Sequence, residues 1–222
     1  MLNRVLFFTL CVLASICLVF LSTFGLFAQA CPDTGLDKNG NLPQQRFVDL
    51  NKLKNRKGLT QGAAIKNIKL GTVLAAANNN KFSNDDPASI TGYVVSIYWG
   101  GPEDCNCFVP KVKDVHVAIV CDPKYELDKT KWMLLEVPPR FQQSVGDVKS
   151  LTSQHLYGRW VTFTGMMFYD KQHEPNARTT NPTGKPSRVK GGVVWRETPW
   201  ELHPLTGFQV LTKKPAGNLC TK

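Results

Sequence analysis

The chain has 222 residues, a formal net charge of +10, 42% apolar residues and 20% charged ones. That length holds one domain of ordinary size beside an export signal, and no internal repeat divides it. The basic balance suits acidic partners such as nucleic acid, acidic polysaccharide or phospholipid headgroups. The charge is spread over Lys52-Leu53-Lys54-Asn55-Arg56-Lys57, 111–131 and 178–190, so it also fits an ordinary solvated surface.

Arg4 is the one charge in the first thirty residues, 5–27 are almost wholly apolar, and Ala28-Gln29-Ala30 follows. A basic start, an apolar run and a small-x-small exit read as a secretory signal, residues 1–30. An uncleaved anchor is the rival, since a span needs ~20 apolar residues; Gly25 and the Ala-x-Ala end favour cleavage. The protein is therefore expected in the periplasm or outside the cell. Cleavage leaves Cys31 first, the position a lipoprotein acylates, although Ala28 stands where such signals usually carry leucine. A signal anchor or lipid on Cys31 are the two foreseen routes to a membrane.

The remaining cysteines are Cys31, Cys105, Cys107, Cys121 and Cys220, an odd set. With lipid on Cys31 the other four form two bridges. Otherwise Cys31 and Cys220 tie the termini and one thiol is left over. An oxidising compartment favours such bridges. A single residue between Cys105 and Cys107 is a poor spacing for structural zinc.

Residues 31–87 read as a polar extension, partly helical around the amphipathic stretch 47–53, with loop chemistry at Asn78-Asn79-Asn80 and Asp85-Asp86-Pro87. The domain spans 88–212, followed by a tail at 213–222. β-Branched and aromatic runs predict strands at 90–99, 114–121, 132–137, 158–169 and 193–210. The first ends at Gly100-Gly101-Pro102, the third at Pro138-Pro139, and Pro199 and Pro204 bend the fifth. Residues 142–157 have helical character with Ser150 or Thr152 as caps, and a Gly- and Pro-rich loop covers 170–192. Antiparallel pairing is the default for gaps this short. Five strands with one helical connection between the third and fourth predict a mainly β fold, a five-stranded OB-fold-like barrel with an irregular N-terminal extension.

Strand alternation puts Val115, Val117 and Ile119 on one face, and Asp114, His116 and Ala118 on the other. Glu136 shares a face with Leu134 and Trp132, with Arg140 as a candidate counter-ion. Trp195, Glu197, Glu201 and His203 share a parity. His116, Glu136, Glu201 and His203 are the candidate catalytic or metal-ligating set, since imidazoles with carboxylates hold many catalytic zincs or serve as general bases near a phosphate. A buried His–carboxylate–Arg network that pins the barrel is the competing reading. Asp114, Arg140, Asp170, His173, Arg196 and Trp200 are the candidate ligand-binding residues. His173 sits at the mouth of the long loop, where ligands are met, and His155 reads as surface. Trp195 and Trp200 suit stacking on bases or sugars or core packing.

The chain resembles a family of exported bacterial proteins of OB-fold type. The resemblance covers about 46–210. It rests on Leu53-Lys54-Asn55-Arg56, Gly92-Tyr93-Val94-Val95, Gly100-Gly101-Pro102-Glu103-Asp104-Cys105-Asn106-Cys107, Asp114-Val115-His116, Glu136-Val137-Pro138-Pro139-Arg140, Gly158-Arg159-Trp160-Val161, the Asp170/His173 pair, and Trp195-Arg196 through Trp200-Glu201-Leu202-His203-Pro204-Leu205-Thr206. It implies fold and export and carries no activity. Leu202 and Leu205 depart mildly from its pattern. Pro199 replaces a small residue, which can shift the phase shared by Glu197 and Glu201.

The leading expectation is a non-enzymatic exported module binding an anionic or aromatic ligand, nucleic acid or an acidic glycan, in a polar cleft. The first alternative is a phosphodiesterase or nuclease that would need a divalent metal, with Arg140 and Arg196 on the phosphate. The second is a structural envelope protein. The sequence leaves oligomeric state open.

Overall fold

The computed structural model describes residues 31–59, 62–184 and 193–222. The signal segment, and the 170–192 loop from 185 onward, lie outside them. The β-branched runs form β2 (Pro87–Trp99), β3 (Val115–Val120), β4 (Met133–Val137), β5 (Trp160–Tyr169) and β6 (Trp200–Val210). β2 pairs antiparallel with β3 and with β5, β3 with β4, and β5 with β6. β4 and β6 run parallel, which closes the ring β2-β3-β4-β6-β5. This is a closed five-stranded barrel of the OB-fold order. The parallel pair departs from the antiparallel expectation, because the chain between β4 and β6 is long enough to supply a crossover. It contains the two helices α3 (Pro139–Gln142) and α4 (Val148–Ser153), and β5. A short β1 (Lys66–Asn67) adds outside the barrel, parallel to the start of β2.

Two local expectations are corrected. Asp147, not Ser150 or Thr152, caps α4, its carboxylate accepting from Ser150 N at 2.8 Å. The last strand begins at Trp200 rather than 193. Residues before Pro199 instead spend their backbone groups on the neighbouring loop: Trp195 N donates to Asn176 O, Arg178 N to Arg196 O and Thr179 N to Glu197 O, all within 3.0 Å. The strand is irregular at Pro204, as expected of a proline there. The proline's lack of an N–H is absorbed by a bulge, where Leu202 faces Met167 and Leu205 faces Gly165. The extra residue reverses the alternation, so Trp200 and Leu202 are followed into the core by Leu205. Gly165 is required there, since a Cβ would stand 2.5 Å from Pro204 O.

The alternation expected of β3 and β4 holds. Val115, Val117, Ile119, Met133, Leu135 and Val137 enter the main core. Ala118, Val120, Trp132 and Leu134 form a second cluster on the outer face, under Tyr125 and Trp195. The N-terminal extension closes the barrel. Its helices are α1 (Gln45–Lys54) and α2 (Leu70–Leu74), and α2 inserts Leu70 and Val73, both with no exposure. Each such burial contributes about 1.5–3 kcal/mol.

Disulfides Cys31–Cys107 and Cys121–Cys220 lock the extension and the tail onto the barrel, leaving Cys105 as a buried thiol. Cys31 therefore does not pair with Cys220, and its sulfur is not free to carry lipid. The loops closed span 76 and 99 residues, long enough for about 4–5 kcal/mol each in the chain-entropy account. Two bridges fit a non-reducing compartment. Among the described residues no helix is long and apolar enough to cross a membrane.

Candidate functional site

Strand register assembles the site. His116 and Glu136 face each other across β3 and β4. Leu135 faces Leu202 across the parallel pair, which brings Glu136 beside Glu201 and His203. His116 Nε2 lies 3.2 Å from Glu136 Oε1, and His203 Nδ1 lies 2.8 Å from Glu136 Oε2 and 3.8 Å from Glu201 Oε2. Glu201 accepts from the Arg196 guanidinium, which also donates to Asp170 Oδ2 at 3.2 Å. His173 Nδ1 stands 2.5 Å from that same Asp170 oxygen. A row of alternating acids and bases thus runs His116–Glu136–His203–Glu201–Arg196–Asp170–His173. Its middle is dry: Arg196, Glu201 and His203 have no exposure.

Supporting groups surround the row. Arg56, just beyond α1, donates to the carbonyls of Asn84, Met167 and His203 and so anchors the backbone at His203. Lys54, buried beneath the ring of Phe168, donates to Glu103 at 2.6 Å. Asn106 donates to Asp114 at 3.0 Å, and the Cys105 thiol faces Glu103 at 3.6 Å. Gly100 lets the 100–114 loop pass over His116, whose Nε2 would lie 2.7 Å from a Cβ.

The electrostatics follow from burial and neighbours. Burial opposes the charge on Glu136, but His116, Lys54 and His203 outweigh it and hold this carboxyl well below its usual range. Burial pushes Asp114 up to about 6, with His203 opposing. Burial also raises Glu201, and the Glu136 charge adds to it. For His203, burial is overcome by Glu136, which raises the imidazole to about 9. For His173, burial is likewise overcome, here by Asp170, so that it titrates above an ordinary histidine. Burial keeps Cys105 a thiol.

Both ends of the row reach one open cleft of about 580 Å³. His116 and Glu136 form its floor, and Gln172 and His173 one flank. Tyr98, Trp99, Trp132 and Trp195 supply aromatic walls, and Lys129 a cation. Trp99 is 45% exposed. Tyr98 stacks edge-on against His116, and Trp195 against His173.

The structure gathers His116, Glu136, Glu201 and His203, and adds Asp114, Asp170, His173 and Arg196 to them. Arg140 and Trp200 do not belong. Arg140 lies in α3, beyond the Pro138-Pro139 turn, and bonds Asn55 O and Asp33 instead of Glu136. Trp200 has the core phase of Leu202. It has no exposure, and its Nε1 donates to Asn78 O. Glu197, which shares a parity with Glu201 and His203 in the sequence, pairs instead with Arg178 and with Lys131. Sequence reasoning missed Lys54, Glu103, Tyr98, Trp99 and Trp132 as site residues. Trp99 carried a usable signal, an indole at a strand end before Gly100-Gly101-Pro102. Lys54 did not, because its partner is distant in the chain.

Such an arrangement can stack flat rings, offer the His173 imidazolium and Lys129 to an anion, and hold a proton or a cation among the buried donors. No protein family, curated protein or solved structure matches the chain.

Proposed function

We propose that the chain is an exported OB-fold module that binds single-stranded nucleic acid in the cleft between the β3–β4 face, the 100–103 turn, Gln172-His173 and Trp195. The carrying observation is the grouping of Trp99, Trp132 and Trp195 around one opening with His116, His173 and Lys129. Bases stack on such rings at about 1–3 kcal/mol each, with little regard to sequence. Lys129, and His173 when protonated, suit the phosphates between them. The cleft also lies where OB-folds present their strand face and flanking loops to ligands. The net charge of +10, one unit of which is Arg4, favours encounter with a polyanion. Export rests on the signal-like start and accords with the two disulfides.

The test is fluorescence titration of the protein with a short single-stranded oligonucleotide. Quenching of tryptophan emission is expected at low salt, with affinity falling steeply as salt rises and falling again in Trp99→Ala. An acidic glycan that binds more tightly at the same residues would move the reading to sugars. Absence of binding by either class at low salt overturns it.

A further inference from the structure

We propose that Asp114, Glu136 and His203 hold a first-row divalent cation, Zn²⁺ or Mn²⁺, in the wall behind the cleft. Each offers one donor atom, and the three atoms lie within 4.8 Å of one another. All three residues are more than nine-tenths buried, so a cation there would be shielded from bulk water on most sides.

Two independent features point to an ion rather than to a closed hydrogen-bond network. The first is geometry. Asp114 Oδ2, Glu136 Oε2 and both nitrogens of His203 have no aligned hydrogen bond. His203 Nδ1 approaches Glu136 Oε2 to 2.8 Å, yet off the line a shared proton needs. The three donor atoms stand close enough together to share one ion. Asp114 is meanwhile steadied through its other oxygen by Asn106, the outer support that orients metal-binding carboxylates.

The second is charge. The carboxylates Asp114, Glu136, Asp170 and Glu201 are buried and Glu103 is partly so, while Lys54 and Arg196 are the permanent cations paired to this group and Arg56 bonds the backbone at His203. Buried charge must be matched, and the deficit falls to imidazole protons or to a metal. A divalent ion satisfies it at the point where the orphaned donors meet. One imidazole with two carboxylates suits zinc or manganese better than a thiolate-seeking ion. Three protein ligands leave a coordination position unfilled. Glu136 belongs both to this set and to the cleft floor, so the ion would sit next to a bound ligand.

The inference stands apart from nucleic-acid binding and is tested separately. The full exported chain is stripped with a chelator, and Zn²⁺ or Mn²⁺ is titrated by calorimetry, with the Mn²⁺ spin-resonance signal as a second readout. One ion per chain is expected, with the affinity cut at least about a hundredfold in His203→Ala and in Asp114→Asn. Cobalt substitution should give visible absorption bands that vanish in the same variants. Should a variant misfold, the wild-type titration still decides: no stoichiometric binding of either ion overturns the proposal. So does binding that a folded Asp114→Asn leaves intact. Two protonated nitrogens on His203, unchanged by added metal in nitrogen NMR, would likewise assign the charge balance to the imidazolium.

Discussion

Glu197 and Glu201 stand on one short segment and each meets an arginine, but the two pairs differ in kind. Glu197 bonds Arg178, whose side chain is 42% exposed, and lies 3.6 Å from Lys131 at the rim. Glu201 bonds Arg196, and neither has any exposure. The first pair is open to water and salt on its Arg178 side, although Glu197 itself is buried. The second has lost its water and depends wholly on its partners. The same residue types thus give a surface clasp in one place and a buried acid–base row in the other. The difference comes from where the chain enters the barrel, after Pro199.

Removing each arginine tests this contrast. Arg196→Ala strips the common partner from Glu201 and Asp170 and is expected to cost about 3–5 kcal/mol in chemical denaturation. A loss below 1 kcal/mol would mean that water or a cation reaches the row.

Trp99→Ala addresses the cleft rather than the row. Oligonucleotide affinity should fall by about 1–3 kcal/mol with the melting midpoint nearly unchanged, because the indole is half exposed. Equal losses of stability and affinity would make Trp99 a packing residue instead.

His173 links row and cleft, and its pH dependence should be smaller. Its folded pKa lies above the unfolded value of about 6.5. The stabilising charge is therefore fully present below about pH 6.5 and lost as pH rises through the folded value. Oligonucleotide affinity should decline severalfold over that rise, and His173→Gln should abolish the step. A flat wild-type profile would detach the imidazole from the ligand.

The smallest effect belongs to Arg178→Ala, at about 0–1 kcal/mol of stability, reduced further by added salt. A cost as large as that of Arg196→Ala would erase the distinction between the two pairs.

Much of the barrel was legible because strand alternation is local. The apolar residues of β3 and β4, the turn at Gly100 and the helical link after β4 follow from period and punctuation. The row was partly legible for the same reason: His116 and Glu136 each fall on the non-core face of their strand, and Glu201 shares a face with His203. Arg140 and Trp200 misled because neither a turn direction after two prolines nor the core phase of one indole can be read from spacing.

The sequence by itself determined the residue types, the strand periods and the number of cysteines available to pair. Tertiary structure decided the rest. It chose which cysteines pair, put Lys54 beside Glu103 and Arg56 beneath His203, and placed a one-residue bulge at Pro204 that returns Leu205 to the core. Above all, it turned scattered acids and bases into neighbours. A parallel β4–β6 pairing is a long-range contact, and its register depends on the whole barrel closing rather than on any local stretch.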